Sequence, residues 1–79
     1  MPRFFFHLHN DVNAEDDVGE ELADILAARA HAAELIRFEA AEAIKRTGRI
    51  VLSHRIDIEN GNGEVLGRVH FRDALGIEP

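Results

Sequence analysis

Two periodicities run along the chain. Over Arg3–His9 apolar and polar positions alternate, placing Phe4, Phe6 and Leu8 on one face and Phe5, His7 and His9 on the other. A two-residue period belongs to a strand, and the aromatic content, with Pro2 at the mouth where a missing N–H costs little, agrees with strand 3–9. From Asp24 the period changes. Ile25, Ala28, Ala32, Leu35, Ile36, Ala40 and Ala43 recur at helical spacing, with neither Pro nor Gly before Gly48. The helix is expected over 24–47. Asp24 suits the N-cap, Lys45 and Arg46 complement the dipole at the far end, and Gly48 suits a left-handed C-terminal position.

The two-residue period then returns. Ile56 and Ile58 alternate with Arg55, Asp57 and Glu59, and Asn60-Gly61-Asn62-Gly63 predicts a hairpin through a type I′ turn. For a loop of Asn60-Gly61, of Asn62-Gly63 or of all four residues, paired positions sum to an odd number. Ile56 and Ile58 then share a face with Val65, Gly67, Val69 and Phe71 in a hairpin over 54–71. Residues 72–79 are expected to turn back at Asp73–Gly76 and tuck Leu75 against the helix. The fold class is α+β: one long helix packed on one face of a small antiparallel sheet. The order is β-α-β-β, or β-β-α-β-β if the intervening acidic loop, 10–23, adds a short strand near Val12 or Val18.

At 79 residues this is one domain, 1–79, and a chain of that size buries only about 60% of the surface its unfolded form exposes. No cysteine is present to staple it, so self-association is the natural supplement. No apolar run approaches the roughly 20 residues of a membrane span, and the N-terminus lacks the build of a signal peptide. A cytoplasmic protein is expected, with no membrane partner. The net charge of −6 is local: seven acids and no base lie between Asn10 and Asp24, leaving nine bases against eight acids elsewhere. No basic face for a nucleic acid is visible.

Pro2-Arg3-Phe4-Phe5-Phe6-His7, then Asp16-x-x-Gly19-x-Glu21-Leu22-x-Asp24 and Ala27-Ala28-Arg29-Ala30, form a combination of motifs. Arg55-Ile56-x-Ile58, Gly63-x-Val65-Leu66 and Val69-x-Phe71 extend it over nearly the whole chain. The combination resembles an uncharacterised family of small, mostly alphaproteobacterial domains that open Pro-Arg-Tyr/Phe-Phe-Phe. The resemblance implies a standalone bacterial cytosolic domain and no particular activity. His9 and His70 fall outside its pattern.

Candidate chemistry is thin. His7 and His9 share a strand face, and parity puts His70 on the outer side of the third strand, three imidazoles that could hold zinc were the strands adjacent. Asp11-x-Asn13-x-Glu15-x-Asp17 echoes a calcium loop but has Asp16 where Gly is needed and Leu22 where a bidentate Glu belongs. Ser53, Thr47 and Lys45 are isolated nucleophiles, and no phosphate-cradling loop exists, so no catalytic residue and no cofactor are assigned. Apolar residues are left over. Phe5 and Leu66 fall on the uncovered sheet face, and Phe38 lies roughly 160° around the helix from the stripe. A 23-residue helix is roughly 35 Å long against about 23 Å for a seven-residue strand, so one end with Ile44 overhangs. The expected function is a non-enzymatic binding or regulatory module that forms a homodimer through Phe5, Phe38, Ile44, Leu66 and Arg68, with a protein partner at the acidic loop or outer sheet face. The alternative is a metal-binding protein or metal-dependent enzyme using His7, His9 and His70.

Overall fold

The computed structural model describes residues 1–11 and 13–78. Strand β1 (Arg3–His9), a two-residue strand β2 (Glu20–Glu21), helix α1 (Ile25–Thr47), strands β3 (Arg55–Glu59) and β4 (Val65–His70) and a single helical turn α2 (Phe71–Ala74) follow in order. The four strands form an antiparallel sheet in the order β2-β1-β3-β4, with α1 across one face. The short strand lies just beyond Val18; Val12 is outside the described residues.

Each boundary of α1 has a local cause. The Asp24 carboxylate accepts from the Ala27 N–H at 2.8 Å, and Gly48 closes the helix at φ 75°, its N–H donating to the Ile44 carbonyl. Ala28, Ala32, Ile36 and Ala40 are the residues buried against the sheet. Three of the four are alanine, so the helix lies close to the strands. Phe4 and Phe6 from β1, Ile56 and Ile58 from β3, and Val69, Phe71 and Ala74 complete the core. Ile36 and Ile58 are fully enclosed, worth about 1.5–3 kcal/mol each.

The hairpin departs from expectation in two places that offset each other. Asn60 N–H donates to the Glu64 carbonyl and Gly63 N–H to the Asn60 carbonyl, with positive φ at Gly63 alone. This is a three-residue loop, a type I turn followed by a left-handed glycine, rather than a type I′ turn. An odd loop length shifts pairing by one, which would turn Arg68 into the core. A bulge restores the phase: Glu59 pairs with Val65 but Ile58 with Gly67, leaving Leu66 as the surplus residue. Gly67 and Val69 therefore share the face of Ile56 and Ile58 as expected. Val65 does not: it stands opposite Glu59 and is 44% exposed.

Phe71 is also a correction, since it ends the strand and opens α2. Its ring is buried edge-on against His54 at 5.7 Å, and the helical turn brings Ala74, three residues on, into the core. Leu75 is half-buried against the core.

Candidate functional site

The helix-free face of the sheet carries a polar array built by strand alternation. His7 of β1, Asp57 of β3 and Arg68 of β4 form one cross-strand row, and His9, Arg55 and His70 the next. Asp57 sits at the centre and is only 4% exposed, although its side chain points away from the helix. Its neighbours roof it. Arg55 Nε donates to Oδ1 at 2.9 Å, Arg68 Nε stands 3.3 Å from the same oxygen, and His9 Nε2 is 3.3 Å from Oδ2. A carboxylate that has lost water is favourable only when so surrounded. In turn it holds two guanidiniums through Nε.

The acidic segment does not loop out; it lies back along the free edge of β1. Leu8 and Ala14 exchange backbone hydrogen bonds, and β2 pairs with Arg3 and Phe4. Between these pairings Asp16 replaces a strand. Its Oδ2 accepts from Phe6 N–H, its Oδ1 from Val18 and Gly19 N–H, and its own N–H donates to His7 Nδ1 at 3.0 Å. With Nδ1 accepting, the His7 ring proton is assigned to Nε2, 3.4 Å from Glu59 Oε1. Burial opposes ionisation of Asp16, but the backbone N–H groups of Gly19, Phe6 and Val18 outweigh it and hold the carboxyl below its ordinary 3.8. Gly19 has φ 75° and lies against Arg3 and the Phe5 ring, where a Cβ would meet both at 2.9 Å. Phe5 is consequently half-buried beneath this segment rather than an open patch.

The histidines do not form one cluster. β3 lies between β1 and β4, so His70 is two strands from His7 and His9, and it faces Asp73 at 3.7 Å instead. Among the described residues no three His, Asp or Glu side chains gather as a metal would require. Phe38 and Ile44 are 63% and 51% exposed, and Leu66 and Arg68 stand out on β4. These surfaces are separate: two lie on the helix, two on the far strand.

Ser53 is exposed and makes no hydrogen bond to a histidine among the described residues, and Thr47 spends its hydroxyl on the Ala43 carbonyl. A recess of about 330 Å³ beside His7, His9, Glu15 and Glu59 is open, and a second of about 180 Å³ lies between Asp11, Arg46 and His54. The β-β-α-β-β order, the capped alanine-faced helix and the strand registers run through the same residues as the motifs at 2–7, 16–24, 27–30 and 55–71. The match to a family model decides the membership.

The chain belongs to the DUF6894 family. This is a domain of unknown function, and its model covers residues 3–72, from the start of β1 into α2. No curated protein and no solved structure matches the chain. Two structural roles in this DUF6894 domain escaped the sequence. The Asp16-x-x-Gly19 spacing carried a signal for the first, a carboxylate reaching forward to a turn that ends in a left-handed glycine. The second, Asp57, could be paired with Arg68 by parity, but its contact with His9 required the strand order.

Proposed function

We propose that this domain is a non-enzymatic binding module that self-associates and uses the outward side of α1 as a contact surface. One observation carries the reading: the helix is inverted in size. It buries Ala28, Ala32 and Ala40 with a single isoleucine, while Leu26 (74% exposed), Phe38 and Ile44 face out. Large apolar side chains held outward on a rigid element have no folding role to explain them, and a core so rich in alanine leaves a chain of this size short of buried area. The isolated nucleophiles and open recesses favour binding over catalysis. Sedimentation of the parent chain over a wide concentration range tests it. The weight-average mass is expected to rise with concentration, and Leu26→Ser/Phe38→Ser/Ile44→Ser to weaken association at least tenfold, with monomer stability changed by no more than about 0.5 kcal/mol per site. A parent chain that stays monomeric at about 1 mM, the limit of weak association, would remove the reading.

A further inference from the structure

The two ends of the sheet are oppositely charged. Along the β2 end lie Glu15, Asp17, Glu20 and Glu21, with Arg3 the single base among the described residues there, 3.5 Å from Glu21. Along the β4 end stand Arg68, Arg29 reaching down from α1, and Arg37 and Arg72 around α2. Of the acids on that side, Asp57 lies 3.3 Å from Arg68 Nε, and Asp73 and Glu64 contact His70 and Asn60.

Both ends are also open strands, and their phases match. Phe71 N–H donates to the His54 carbonyl at 2.8 Å, so in the register of the β3–β4 pair the amide and carbonyl of Arg68 turn away from β3. Leu22 N–H donates to the Pro2 carbonyl at 3.1 Å, so by the same alternation the amide and carbonyl of Glu21 turn away from β1. Arg68 shares its face with Asp57, and Glu21 shares its face with Arg3, so both side chains lie on the helix-free side. Glu20 and Gly67 fall on the helix side, where Arg29 overlies Gly67 and its Nη2 is 3.5 Å from the Arg68 carbonyl.

From this we infer that the domain self-associates head to tail, the β4 edge of one copy pairing antiparallel with the acidic β2 edge of the next. Arg68 then sits opposite Glu21 of the next copy on the helix-free face, and Arg29 reaches Glu20 of the next copy on the helix face. The helices of successive copies stay on one side of a continuous sheet. A two-fold pairing of β4 with itself is disfavoured, because it sets Arg68 against its own copy, or the two Arg29 side chains together over Gly67. The overall charge of −6 argues against nucleic acid as the occupant of the basic end. Contacts of this heterologous kind do not stop at two copies; they close into a ring or continue.

The inference rests on the self-association proposed above, and a charge-swap experiment separates the two. One variant, Arg29→Glu/Arg68→Gln, blocks the basic end; another, Glu20→Lys/Glu21→Lys, blocks the acidic end. Circular dichroism checks that each is folded, and Arg29→Glu alone replaces the first should it not fold. The parent mass is expected to pass that of a dimer as concentration rises and to fall at least tenfold in association constant at about 1 M salt, where screening acts within about 3 Å. Each variant alone should associate at least tenfold more weakly than the parent, while an equimolar mixture, in which every junction brings opposite charges together, should recover the lost association. If the parent associates but either variant does so as tightly, the mixture is no tighter than either variant alone, or a closed dimer persists in high salt, the head-to-tail arrangement is overturned and self-association stands. A monomeric parent overturns both.

Discussion

Asp16 shows how much of this small domain hangs on one carboxylate. It takes three backbone N–H groups that no strand partner would otherwise serve, two from its own turn and one from β1. Asp16→Ala is therefore expected to lower the unfolding free energy by about 1–3 kcal/mol, measured by urea titration at neutral pH. The sign of its pH dependence follows from the lowered pKa. The unfolded chain takes up the proton first as acid is added, so the contribution is complete above 3.8 and is lost as pH falls through the lower value of the folded state. Parent and variant stabilities should converge over that interval. A gap that held constant into strong acid would show that the ionised form is not what the turn requires.

Among the elements, α1 was legible in the sequence almost to the residue, because its cap, its stripe and its stop are all local signals. β1 and β3 were legible because alternation needs only neighbours. The turn type, the bulge and α2 were not. A three-residue loop and a surplus Leu66 each shift the phase by one, and parity arithmetic sees only their product. Strand order was beyond the same arithmetic, which is why the three histidines looked like a set. The close seating of α1 gives an element-level expectation. Ala32 is fully enclosed against the sheet, whereas Ala30, two positions back, is exposed. Ala32→Leu should destabilise by about 1–3 kcal/mol through overpacking, whereas Ala30→Leu should be nearly neutral in the same thermal unfolding assay. Equal effects would mean that the helix can lift off the strands without loss.

At the scale of the whole molecule, the core, the polar array and the acidic edge are built about one short sheet, and the molecule's long axis of 39 Å is close to the helix length. β3 is the middle strand that both buries Ile56 and Ile58 and anchors Asp57 on the other side. The bulge adds a last consequence. With Leu66 standing outside the pairing ladder, the chain is one residue longer than its architecture requires, and that slack lies in β4 alone. Deleting Leu66 should straighten the strand and leave a cooperative thermal transition with unchanged far-ultraviolet dichroism, whereas deleting Asp57 from β3 should abolish folding. Length variation among natural members of the family is accordingly expected to be tolerated at this spot in β4 and refused in the strand beside it.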